Sequence, residues 1–146
     1  MKDYYTATVK YVATDQSTGK DIIVSEQYLL DAINFIDAET RIYEEIIPLI
    51  NGDGFDVSGI KRMRLAEIIS REGETWYKSK VEFLESDEKT GKIKKVKYQV
   101  LVCAKNTEQA VKNITEKMSI VTSPWAINSI QETKIKEIFI TDEERL

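Results

Sequence analysis

The sequence predicts an α+β fold: a tandem duplication of a β-β-α-β unit, with antiparallel sheets, two helices and a pseudo-two-fold relation between the halves. Three observations predict it. "TDQSTGKDI" (residues 14–22) and "SDEKTGKIK" (residues 86–94) write one turn twice, 72 residues apart. Fourteen of the 43 positions from Tyr4 to Ile46 are identical at that offset without a gap. The match then resumes at offset 70, pairing Phe55 with Trp125, Val57 with Ile127, Ile60 with Ile130, Glu67 with Glu137 and Ile68 with Ile138. One register held through a turn, a strand and a helix start marks an internal repeat.

The first strand is "YYTATVKYVA". Tyr5, Ala7, Val9 and Tyr11 alternate with Tyr4, Thr6, Thr8 and Lys10, the period of a strand with one buried face. The second copy places Tyr77, Ser79, Val81 and Phe83 inside and Lys78, Lys80 and Glu82 outside. The turn comes next. Asp15 and Asp87 each stand four residues before a glycine, Gly19 and Gly91. This suits a four-residue hairpin loop: the carboxylate accepts early N–H groups and the glycine takes the positive-φ position that closes it. "STGKD" is not a phosphate-binding loop, because no Gly lies five residues before Gly19 and Asp21 follows Lys20.

The second strand sets Val24, Tyr28, Leu30 and Ala32 on one face, matched by Val96, Val100, Val102 and Ala104; Glu26 interrupts that face where the second copy has Tyr98. Asn34 and Asn106 are candidate N-caps, with Thr107 an alternative to the latter; Asn106 with Gln109 fits a capping box and Asn34 with Asp37 a weaker one. Ala38, Ile42, Ile46 and Leu49 space as a helical stripe, as do Ala110, Ile114, Met118 and Val121. "NGDG" (residues 51–54) and "SP" (residues 123–124) end the helices. A third strand starts near Phe55 and near Trp125, with a bulge near Gly59 where the apolar period shifts.

One such unit buries too little to stand alone. The 146 residues, 42% of them apolar, therefore read as a single domain of two repeats, or two closely docked halves, about residues 4–70 and 76–140, joined at 70–75.

Three segments carry a resemblance: "QYLLDAINFIDAETRIYEEI" (residues 27–46), "IKRMRLAEI" (60–68) and "WYKSKVEFLESDEKTGK" (76–92). Together they resemble a family of small uncharacterised proteins, a domain of unknown function, from Bacteroides-type bacteria and their phages, over nearly the whole chain. The resemblance implies an intracellular protein in a phage or mobile-element setting and brings no catalytic residues. The charged end "TDEERL" departs from the family's more aromatic ending.

Chemistry is scarce in this composition. There is no histidine, which removes the commonest general base and zinc ligand, and the one cysteine, Cys103, has no partner for a disulfide and reads as a buried strand thiol. "NGDGFD" fails the calcium-loop pattern: Asp56 stands where Gly is required and Arg62 where Glu is. No catalytic residue, metal or cofactor is expected. No apolar leader or membrane-length stretch is present, so a cytoplasmic protein is the expectation.

Charge differs between the copies. Residues 1–72 carry a net −5 and residues 73–146 a net +1. Lys78 and Lys80 share the outer face of one strand, Lys95 and Lys97 that of its neighbour, and Trp76 stands beside them. Basic faces with edge aromatics bind single-stranded nucleic acid, though antiparallel sheets also carry lysine on ordinary solvated faces. Lys61, Arg62 and Arg64 form the other basic run. The same face of the first copy is nearly neutral: Tyr4, Thr6, Thr8 and Ile23 suit a protein contact, a homo-oligomer included.

The leading functional expectation is a non-enzymatic binding module of phage or mobile-element type with an unidentified partner. The alternative partner is single-stranded nucleic acid, held by Trp76, Lys78, Lys80, Lys95 and Lys97 with Lys61, Arg62 and Arg64. A third reading is a small-molecule binder or enzyme in the groove between repeats, with Glu67 and Glu137 as its test residues.

Overall fold

The computed structural model describes residues 3–49 and 54–140. Its elements are β1 (Asp3–Thr14), β2 (Asp21–Ala32), α1 (Phe35–Ile46), β3 (Phe55–Met63), β4 (Glu67–Ile69), β5 (Thr75–Ser86), β6 (Ile93–Ala104), α2 (Thr107–Met118), β7 (Trp125–Glu132) and β8 (Ile135–Phe139). β1, β2 and α1 recur as β5, β6 and α2 at an offset of 72 at both ends of each element. The "NGDG" turn, Gly54 apart, and the "TDEERL" end lie outside the described residues.

The turns are built as their residues dictate. Asp15 accepts the Ser17 N–H at 2.9 Å and Asp87 that of Lys89 at 2.9 Å. Gly19 has φ 71° and Gly91 φ 70°, the left-handed region open to glycine at no steric cost. The bulge predicted near Gly59 is present. Thr8 pairs with Gly59 and Val9 with Val57, which leaves Ser58 extra; Asn128 is the extra residue of β7.

Both helices start at the predicted asparagines. Asn34 accepts the Asp37 N–H and Asn106 the Gln109 N–H, each at 2.8 Å. The reciprocal bond differs from expectation. Asp37, the weaker candidate, reaches back to the Ile33 N–H at 2.9 Å, whereas the Gln109 amide donates to Asn113 at 2.9 Å. Ala38, Ile42 and Ile46 are buried, but α1 ends at Ile46 and Leu49 is exposed. Leu49 thus leaves the predicted stripe, because the helix that would carry it inward has stopped.

Each repeat carries one strand more than the predicted β-β-α-β unit. β4 and β8 are parallel edge strands, and neither joins the sheet of the strand before it. The chain forms two units. One takes the residues up to Arg64 together with the segment from Ile135, and the other is Leu65–Lys134. In the first unit the sheet order is β3-β1-β2-β8; in the second it is β4-β6-β5-β7. The sheets are otherwise antiparallel, and the fold is α+β.

The first unit's core gathers Tyr5, Ala7, Val9, Tyr28, Leu30, Ala32, Ala38, Ile42 and Ile46. The second uses Ile69, Tyr77, Val81, Val100, Val102, Ala104, Ala110, Ile114 and Met118. Each large aliphatic so buried contributes about 1.5–3 kcal/mol. Cys103 is buried and free, its thiol pushed up by burial, with Sγ 3.2 Å from the Gly73 carbonyl. Among the described residues no helix is long and apolar enough to cross a membrane.

Candidate functional site

α1 packs over Tyr5, Ala7, Val9, Tyr28 and Leu30. Tyr11, Val24 and Glu26, nearer the hairpin turn, lie outside that cluster and are only partly buried. There Glu26, the residue that interrupts the apolar face of β2, gathers three donors. Tyr11 Oη donates to Oε1 at 2.7 Å, Lys136 Nζ to the same oxygen at 2.9 Å, and Tyr28 Oη to Oε2. β8 supplies Lys136 because its parallel register on β2 shifts: Gln27 pairs with Ile135 and Tyr28 with Glu137, which makes Lys136 the extra residue. Phe139 of β8 stacks on Tyr28 with ring centroids 5.5 Å apart.

The electrostatics follow from this geometry. Burial alone would raise the Glu26 carboxyl, but the hydrogen bonds from Tyr28, Lys136 and Tyr11 outweigh it and hold the group below its usual range. Burial and the bond to Glu26 push Tyr28 well above an ordinary phenol. The bond to Glu26, then burial, raises Tyr11. The same carboxylate raises Lys136. At neutral pH the group is one carboxylate, one ammonium and two protonated phenols.

These residues line a cavity of about 460 Å³, with Glu137 and Leu49 on its wall and residues 12–14 toward the turn. Both phenols donate their O–H to Glu26 and stay protonated, so each oxygen has only lone pairs left to offer. Glu137 adds a second carboxylate. With Glu26, Glu137 and Lys136 on its wall the cavity carries a formal charge of −1, and it offers phenol and carboxylate oxygens as acceptors beside the remaining N–H groups of Lys136. The second unit has nothing equivalent: Phe83, Tyr98 and Val100 replace Tyr11, Glu26 and Tyr28. The Phe83 and Tyr98 rings meet edge to face at 5.4 Å, and the Tyr98 hydroxyl donates to Glu85 at 3.1 Å.

The residues singled out from the sequence are placed as follows. Lys78 and Lys80 of β5 share a sheet face with Lys95 and Lys97 of β6. Lys80 pairs with Gln99, Lys97 with Glu82 and Lys95 with Leu84. Lys80, Lys95 and Lys97 are exposed. Lys78 is half-buried opposite fully buried Leu101, and half-buried Trp76 lies opposite buried Cys103. Lys61 and Arg62 belong to the first unit and point to opposite faces of β3. Arg62 bridges Asp3 at 3.1 Å, and Arg64 follows the strand, exposed. Tyr4, Thr6 and Thr8 are half-buried along β1, and Thr6 lies opposite Lys61. Ile23 is 76% exposed and pairs with Val12, itself 62% exposed. Glu67 bridges Lys117 at 3.1 Å in the second unit, while Glu137 lines the cavity of the first. Among the described residues no group of three His, Cys, Asp or Glu is arranged to hold a metal.

Sequence reasoning passed over two features. One is the Glu26 network, whose only local signal was an acid on an apolar face. The other is the exposed side of α1, where Ile36, Tyr43 and Ile47 recur at i, i+7 and i+11; the pattern was legible but was overshadowed by the buried stripe beside it.

The chain matches no curated protein and no solved structure. A family model described as a domain of unknown function, DUF4494, matches residues 3–141. With the match spanning nearly its whole length, the chain belongs to that family.

Proposed function

We propose that the protein is a non-enzymatic binding module that holds a cationic group, an amine or a guanidinium, in the cavity of its first unit. The observation that carries this reading is the cavity lining: two carboxylates, Glu26 and Glu137, stand against one ammonium, Lys136, with two phenols whose O–H groups are already donated to Glu26. A volume of about 460 Å³ suits a small ligand or a basic side chain of a partner. The chain has no histidine and its one cysteine is buried, which supports binding over catalysis.

The test is calorimetric titration with agmatine, with glutarate as an anion of similar length. Agmatine should bind saturably and stabilise the fold, glutarate should not, and Glu137→Gln should weaken agmatine several-fold. Equal binding of the anion, or none of the cation, would overturn the reading.

A second reading rests on Lys80, Lys95 and Lys97, exposed on one sheet face of the second unit. It makes that face a single-strand nucleic-acid surface, with Lys78 and Trp76 at its half-buried end. Glu82 opposite Lys97 weighs against it. Anisotropy of a labelled single-stranded oligonucleotide at two salt concentrations, with the four lysines replaced in a control, decides it. The resemblance of residues 27–46, 60–68 and 76–92 supports a cytoplasmic, phage or mobile-element setting in Bacteroides-type bacteria for either reading.

A further inference from the structure

α1 leaves apolar side chains in water. Ile36 is 77% exposed, Ile47 61% and Tyr43 39%, with Ile33 just ahead of the N-cap at 63%. Single exposed apolar residues are ordinary, but a line of them is a patch. The Tyr43 ring meets Phe55 at 5.3 Å, which extends the patch toward β3. The fold does not need these residues: at the equivalent places α2 has Lys105, Glu108, Thr115 and Ser119, and it packs on its own sheet in the same way.

The charge around the patch says what covers it. α1 carries four carboxylates, Asp37, Glu39, Glu44 and Glu45, and one arginine. That arginine, Arg41, is held by Asp31. α2 carries two acids and two bases. A second copy docked through the same face would bring carboxylates against carboxylates, and an anionic lipid surface would be repelled likewise. A helix with an apolar stripe flanked by Lys or Arg satisfies both the stripe and its rim. We propose that the exposed face of α1 is a docking site for a basic amphipathic helix of a partner protein. This site is separate from the cavity and does not depend on what the cavity holds.

The test uses a labelled amphipathic peptide of about 18 residues with Leu at helical spacing and Lys flanks, and a counterpart with Glu flanks. The full chain should bind the Lys peptide at least about ten-fold more tightly. Ile36→Glu and Ile47→Ser install the residues that α2 already carries, so the fold should tolerate them. Together they should abolish binding. Ile36→Glu also adds negative charge, so association by charge alone would strengthen in the variant, and that result overturns the proposal. Equal affinity for both peptides overturns it too. So does a dimer that dissociates on the same substitutions, because the face would then belong to a second copy. Agmatine binding should be unchanged in the α1 variants, which keeps the two proposals separable.

Discussion

Asn113 of α2 donates its side-chain amide to the Cys103 carbonyl at 3.0 Å, and at the equivalent place on α1 Arg41 donates to the Asp31 carbonyl. The two side chains differ, yet each ties the helix to the strand end before it. Asn113 is 3% exposed and its own oxygen accepts from Gln109. Asn113→Ala removes both bonds and should cost about 1–3 kcal/mol, read as a lower denaturant midpoint at unchanged slope. Arg41→Ala should cost more, because buried Asp31 loses a cationic partner.

The Glu26 network predicts a pH profile. Its folded carboxyl lies below the ordinary 4.5, so its contribution is full above that value and is lost as pH falls through the lowered folded one. Lys136 is raised above 10.5, so its contribution is full below that value and is lost as pH rises through the raised one. Glu26→Gln should flatten the acid limb of stability against pH relative to the parent. A Glu26→Gln curve parallel to the parent's below pH 4.5 would show that the carboxylate is not linked to folding.

Lys136 already occupies the carboxylate that a cationic ligand would seek. Lys136→Met should therefore raise agmatine affinity, by about ten-fold, while Tyr11→Phe should lower stability by about 1–2 kcal/mol. Calorimetry of the first variant and denaturation of the second check the pair.

Gly73 closes the approach to β5. A Cβ there would lie 2.4 Å from the Ala104 carbonyl carbon and 2.7 Å from its Cα, both backbone atoms with little room to yield. Gly73→Ala should destabilise by about 1–3 kcal/mol, visible as a fall in Tm, whereas Gly54→Ala, with open space around it, should not.

Local signals in the sequence carried most of the fold. Alternation identified both hairpins, Asp15 and Gly19 identified the turn, and Asn34 and Asn106 the helix starts, because each acts on its immediate neighbours. β4 was hidden for the opposite reason. Three residues have no readable period, and their partner, Val100 to Val102, is supplied by pairing distant in sequence. The Glu26 site was hidden in the same way: Tyr11 and Tyr28 are close in sequence, but Lys136 comes from 110 residues further on. No window around Glu26 holds the cation that makes its burial affordable.

The placement of β8 also sets a timetable for synthesis. Leu65–Lys134 is one continuous stretch and holds every strand of its sheet, so the second unit can close as soon as that stretch has left the ribosome. The first unit is translated first but waits for residues 135–139. Until they emerge, β2 offers an open edge to any passing strand, and Glu26 stands without its lysine. The half made first is thus completed last.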